Sequence, residues 1–420
     1  MKKNIFFLLL FFMIPTTSIA GTNFLGAVSN SNGGGANVVY SFLSGTIPSS
    51  LTFTRASNAW YYNSSGLITQ ASSNTARFDY NPSTKVLNGL LIEQQSTNLN
   101  IDSQTFTTGW TINQGATSAD NVYVSPDGTT NASSLVMTTT ASSGVYQLIT
   151  TTASQAYTFS VFIKLISGSS TTFRFGDDSA GTAYFQINPQ NMTAGYIGPQ
   201  ATSYSIQNVG NGWYRLSCSF VATGASSSFL MFNEDTSNTL TLAVYGAQAE
   251  AIPFSTSYIP TAGSAVTRSQ DSLTVPVSTV GANATAGTAL AEIMFETSIP
   301  SGSAAGYGNN YIWDFGTNQM SMRLYIATAS FGTLGGTTTP PWLPSAGSIY
   351  KVAGAWSGGN TAISALNGVV GSQISNTASI GTTLRLGNYG GGGYSENGWL
   401  RNFKFWNSTL TNAQLQQVTQ

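Results

Sequence analysis

Between residues 157 and 233 the chain is a series of short apolar runs: YTFSVFIKL (157–165), TTFRFG (171–176), AYFQIN (183–188), WYRLSCSF (213–220) and SFLMFN (228–233). Each is rich in β-branched or aromatic residues, and Gly, Ser, Asn and Asp clusters separate them. No long stretch carries the 3.6-residue period of an amphipathic helix. Many short strands with polar turns fold as sandwiches or closed sheets rather than α/β layers. The expected fold class is all-β, with tandem jelly-roll or β-sandwich domains.

Only 7% of the residues are charged, against 12% aromatic, and the formal net charge is −1. The apolar content offsets chain entropy, so disorder is excluded, and the surface must consist of Ser, Thr, Asn, Gln and Gly. Without a basic stripe the electrostatic term that drives nucleic-acid binding is missing. The single cysteine, Cys218, excludes an intrachain disulfide. Period-2 alternation puts it on one strand face with Tyr214 and Leu216, as a small buried hydrophobe. Histidine is absent, which removes Ser-His-Asp and Cys-His machinery and imidazole acid–base work.

The N-terminus, MKKNIFFLLLFFMIPTTSIA, has two lysines, a short apolar run, a proline and small residues at Ser18 and Ala20. This is the pattern of a secretory signal over 1–20, cleaved after Ala20, and the run is too short for a mature membrane anchor. The expected product is extracellular. Three segments follow: a β region over 21–98 with a Gly/Asn/Ser-rich leader, a strand-rich block over 99–262, and a second over 263–420. The stretch after Pro260 is the linker candidate.

Catalysis would have to use the fifteen carboxylates. In EIMFE, Glu292 and Glu296 are four residues apart, or about 13 Å on a strand at ~3.3 Å per residue. Glycosidase pairs need about 5–5.5 Å or about 6.5–9.5 Å, so both are expected to be exposed strand-edge residues and no catalytic residue is assigned. Asp177-Asp178 and Glu234-Asp235 are the weak calcium candidates, with turn formation the preferred reading. No cofactor is expected. The glycine runs 33–35 and 390–393 lack the lysine and the strand-to-helix context of a phosphate loop.

Aromatic rings stack on the C–H faces of sugars, and amides bond their hydroxyls. Around the 390–393 glycines the carbohydrate-binding candidates are Tyr389, Tyr394 and Trp399, with Asn388 and the loop-borne Trp342. Trp213 is expected to plug the jelly-roll core, and Trp313 and Trp356 the core of the last block. Near the C-terminus Phe403 and Phe405 share an inward face, and Thr411 and Gln414 form a capping box.

The ordered set FTRAS, RFDYNP, LNGLLIEQQSTNLN, TGWT, GNGWYRLSCSF, YGAQAEAIPFSTSYIPT and VTR resembles the shared body of bacteriophage tail-fibre and virion structural proteins. The resemblance implies a jelly-roll similar to carbohydrate-binding modules, followed by a concanavalin A-like, or laminin-G-like, lectin domain. It implies a non-catalytic adhesion protein, secreted or virion-borne, that recognises cell-surface carbohydrate as a homotrimer. A glycan-degrading hydrolase or lyase and a purely architectural fibre component are the alternatives. N-terminal sequencing of the exported protein is expected to begin at Gly21; a start at Met1 would overturn the signal assignment.

Overall fold

The computed structural model describes residues 35–179, 182–296, 309–316, 320–325, 330–332, 344–358, 361–375, 379–390 and 395–420. The expected signal segment 1–20 lies outside them. Among the described residues the chain is almost entirely antiparallel strand, arranged as two sandwiches.

The middle sandwich faces two six-stranded sheets. One runs Ala201–Gly210, Trp213–Val221, Ala156–Gly168, Leu240–Glu250, Thr130–Met137 and Thr117–Val124; the other runs Thr193–Ile197, Ala183–Asn188, Phe173–Asp177, Ser226–Asn233, Ser143–Thr150 and Thr111–Asn113. Alternate residues of the apolar runs meet between them. Leu216, Cys218 and Phe220 pack with Phe159, Phe175, Phe185 and Phe229, and the Phe159 and Phe229 rings stack 4.6 Å apart. Burial pushes the Cys218 thiol pKa up, as expected for a core residue. Trp213 does not fill this core. It is one residue out of phase with Tyr214, so the pleat turns it outward, where Phe162, Tyr245 and Tyr258 bury it.

The second sandwich is assembled from both ends of the chain. Its larger sheet places Ala286–Phe295 between Ile349–Ser357 and Gly398–Trp406, continues through Leu87–Ile92 to Phe78–Tyr80, and adds Val38–Ser41 on Gly398–Trp406. The opposing sheet begins with Thr52–Thr54 on Ser272–Pro276, then Thr383–Leu386 and Asn309–Asp314. Phe403, Phe405, Trp313 and Trp356 lie in the shared core with Tyr40, Leu90 and Ile92. Gly287 has no side chain because a Cβ there would enter the Trp356 ring. The final helix Asn412–Thr419 carries the Thr411–Gln414 capping box.

Of the expected segment 21–98, residues 38–92 therefore contribute strands to the C-terminal sandwich, and the middle sandwich is an insertion within it. Entry and exit strands pair, Ser96–Asn98 with Val266–Arg268, so the stretch after Pro260 is fixed structure. Asn98 ties the crossing down: its amide donates to Ala247 O and Ile259 O, and its Oδ1 accepts from Ala249 N.

The seam also holds a buried ion network. Arg55 Nη1 donates to Asp271 Oδ1 at 3.1 Å, and Arg77 Nη2 to Asp271 Oδ2. Arg77 Nη1 lies 2.7 Å from Glu93 Oε2, with Arg268 Nη1 at 3.6 Å from the same oxygen. All five side chains are at most 1% exposed. Burial pushes the Glu93 pKa up, but Arg268 and Arg77 outweigh it and hold the carboxyl at about 2. Asp271→Ala would leave Arg55 without a carboxylate and Arg77 with Glu93 alone. It is expected to cost about 3–5 kcal/mol in urea unfolding; a loss below about 1 kcal/mol, the level of a surface pair, would overturn this account.

Candidate functional site

A hairpin of Ala59–Tyr62 and Ile68–Ala71 leaves the second sandwich and packs Ile68, Trp60 and Tyr62 onto the outward face of the middle sandwich. Between hairpin, large sheet and middle sandwich lies a cleft of about 680 Å³. Its floor is the outer face of the large sheet, where Leu91, Met294 and Trp399 form an apolar cluster. Trp60, Tyr61 and Tyr62, all partly exposed, make one wall.

The facing wall is polar because two neighbouring strands turn their outward residues to it. Gln207, Ser205 and Ser203 pair in register with Arg215, Ser217 and Ser219, and all six line the cleft. Ser205 and Ser217 share a 2.8 Å hydrogen bond. One side thus offers ring faces, and the other offers hydroxyls, an amide and a guanidinium.

Trp399 reaches the floor through a β-bulge. Glu292 pairs with Asn402 but Ile293 pairs with Leu400, so Arg401 is the extra residue. Leu400 and Phe403 both point into the core, and Trp399 is turned to the outer face, where it is 7% exposed. Its indole N–H donates to Asp79 Oδ2 at 2.9 Å, while Asp79 Oδ1 accepts from Tyr62 N at 2.6 Å. Asp79 is a bracket between hairpin and sheet. Burial pushes its pKa up to about 7, although both hydrogen bonds and Arg77 work against the shift.

The remaining carboxyl in the cleft is Glu296, one residue past its strand, with Oε1 at 3.8 Å from Arg215 Nη1 and the side chain 14% exposed. Burial, then the negative charge of Glu93, pushes its pKa up to about 8, with Arg215 opposing. The expectation of exposed strand-edge glutamates is corrected here. Ala286–Phe295 is a central strand, and Glu292 is bonded to Arg401 Nε at 2.9 Å. Glu296 sits in the cleft.

Of the sugar-binding candidates, Trp399 belongs to this cleft, on its floor and not at an exposed rim. Tyr389 is stacked 4.8 Å from Tyr311, and Asn388 is 2% exposed with its amide on Asp271 O; neither lines the cleft. Trp342 and Tyr394 lie outside the described residues. The calcium candidates are engaged by protein groups. Asp177 Oδ1 accepts from Ser228 N and Ser179 N, Asp178 and Glu234 both pair with Arg174, and Asp235 accepts from Ser237 N and Asn238 N in a turn. Among the described residues no group of three or more acidic, His or Cys side chains could hold a metal ion. No described helix is long and apolar enough to cross a membrane.

No family model matches the chain, and no curated protein matches it. Among solved structures it is similar to a Trypanosoma rangeli sialidase in complex with the inhibitor DANA, at 15% identity over 35% of this chain, with a TM-score of 0.27. That match spans 25% of the sialidase. The binding domain of botulinum neurotoxin serotype D matches at 11% identity over 35% of this chain and 40% of its own, with a TM-score of 0.24. The CBM22-1 xylan-binding domain of Paenibacillus barcinonensis Xyn10C matches at 16% identity over 38% of this chain and 94% of its own, also with a TM-score of 0.24. Likeness at this level does not bear on the site.

Asp79 and Glu296 are both held neutral more strongly in the folded chain than in the unfolded one. The stability this lends is complete below the unfolded carboxyl range of about pH 4. It is lost as pH rises through about 7 for Asp79 and about 8 for Glu296. Glu93 acts oppositely: its contribution is present above the unfolded value and lost as pH falls towards about 2. The melting temperature is expected to fall between about pH 4 and 8, with the part of that fall above about pH 7 removed by Glu296→Gln. A melting profile flat across this range would overturn the assignment.

Proposed function

We propose that the protein is a non-catalytic glycan-binding protein whose ligand lies in the cleft between the inserted sandwich and the hairpin. The observation that carries this reading is the pairing of an aromatic wall and floor with a facing row of hydroxyl and amide side chains. A pyranose has the same two-sided character, with apolar C–H faces and a hydroxyl edge. The resemblance in the sequence supports an exported or virion-borne adhesin. A trimer, also implied by it, would appear as three times the chain mass in light scattering.

The arrangement of carboxyls favours binding over hydrolysis. A two-carboxylate glycosidase needs both groups free to reach the glycosidic oxygen and the anomeric carbon or a water. Asp79 has both oxygens bonded to N–H donors and is 3% exposed, which leaves Glu296 alone. Cleft polar groups and partly exposed rings then orient a sugar without attacking it.

Tyr61 gives the cleanest test, because its partly exposed ring lines the cleft. On a glycan array, Tyr61→Ala is expected to weaken retention about tenfold, or about 1.4 kcal/mol, while Tyr61→Phe keeps it. No retention of the unmodified chain on any glycan would overturn the reading. Release of reducing ends from a bound polysaccharide would replace it with a hydrolase.

A further inference from the structure

Two ionisable groups in the cleft are left without a close partner among the described residues. Arg215 uses Nη2 on Ser160 Oγ at 3.1 Å and Thr256 O at 2.7 Å, and its guanidinium lies 5.3 Å over the Phe162 ring. Its Nη1 has no hydrogen bond among the described residues. It stands 3.8 Å from Glu296 Oε1, beyond hydrogen-bond reach. The other ions around the cleft are closed. Arg77 meets Glu93 at 2.7 Å, Arg401 is bonded to Glu292 and Asn88 O, and Glu250 accepts from Ser96 Oγ and Thr256 N. Among the described residues only Arg215 and Glu296 face the cleft as a loose pair.

The surroundings decide which ligand group suits that pair. Glu296 feels Glu93 after the strand Leu87–Ile92, Asp79 on Phe78–Tyr80, Glu250 on Leu240–Glu250 and Arg215 on Trp213–Val221. The Tyr62 hydroxyl of the hairpin is coupled to it as well. Burial first, and then three acids against one cation, favour the protonated carboxyl, which presents an O–H donor. An entering anion meets an unspent guanidinium N–H and a neutral donor side by side, and charge-assisted bonds of this kind are the strong ones. A neutral sugar can offer that N–H only a hydroxyl oxygen, a weaker acceptor than a carboxylate.

We infer that Arg215 and Glu296 form a subsite for a sugar carboxylate, so that the ligand is an acidic glycan. The inference rests on the glycan reading above and names its class. The carboxylate accepts from Arg215 Nη1 and from the Glu296 O–H while the rest of the ring packs against the aromatic wall. Ionisation of Glu296 at alkaline pH turns a donor into a repelling charge.

The test uses the full chain on an array carrying oligouronates, sialylated oligosaccharides and neutral hexose oligomers. Calorimetry then compares the best acidic ligand with its carboxyl-reduced counterpart. The acidic form is expected to bind about tenfold or more tightly near pH 6.5, and to lose that preference as pH rises past about 8. Glu296→Gln is expected to keep the preference and remove its decline with pH. Arg215→Met is expected to abolish it; Arg215→Lys, which retains a cation if the Met variant fails to fold, should keep part of it. The uronate and sialoside arms identify which carboxylate sugar is preferred. Equal affinity for the acidic and reduced forms, with Tyr61→Ala weakening both, overturns the carboxylate subsite and leaves the glycan reading intact. Retention of neutral oligomers alone does the same. No retention on any glycan overturns both.

Discussion

Asp271 and the arginines it pairs are the interaction on which the rest of the molecule depends. The network joins Arg55, Arg77 and Glu93 from before the inserted sandwich to Arg268 and Asp271 from after it. Glu93 also accepts from the Ser257 backbone and hydroxyl, and Arg77 donates to the Trp60 carbonyl. One set of buried ions thus sets the insertion, the hairpin and the large sheet against each other. Such a network adds little net stability against an apolar replacement, but any shift that breaks a pair leaves a buried charge uncompensated, at a cost of several kcal/mol. Register across the seam is therefore sharply defined.

The cleft inherits that definition. Its hairpin wall is tied through Trp60 O to Arg77 and through Tyr62 N to Asp79. Its floor is tied to the same Asp79 through the Trp399 indole. The polar wall is fixed by Arg215, which reaches across to Thr256, and the neighbouring Ser257 is bonded to Glu93. A pocket between two sandwiches would otherwise open and close with their relative motion. Here every wall has a polar bond leading back to the seam.

What was legible in the sequence follows from locality. Period-2 runs gave the all-β class and the core positions of Cys218, Phe403 and Phe405, and the capping-box pattern gave the Thr411–Gln414 cap, because each depends on neighbours a few residues away. Trp213 was misplaced by assuming that a large ring fills the nearest core; its phase relative to Tyr214 already placed it on the other face. Trp399 could not be placed, since its orientation depends on one extra residue, Arg401, that appears only when the partner strand is known. Glu296 was read from its spacing to Glu292, although the acids and the cation that surround it come from residues 79, 93, 215 and 250. The insertion was hidden for the same reason, since Val38–Ser41 pairs with residues more than three hundred positions away. The motifs FTRAS, RFDYNP, LLIEQQSTNL, FSTSY and VTRSQD, scattered along the chain, supply the members and partners of one buried cluster.

That convergence also accounts for the composition. With only 7% of residues charged, the chain still commits Arg55, Arg77, Arg215, Arg268, Asp79, Glu93, Glu250 and Asp271 to positions at most 4% exposed. Charges withdrawn to the interior leave a surface dominated by hydroxyls and amides, over which long-range electrostatic steering is weak. A cleft in such a surface selects its ligand by short-range contact alone. The ions that hold the sandwiches in register are thereby also the reason that a single loose pair, Arg215 and Glu296, can set the character of the site.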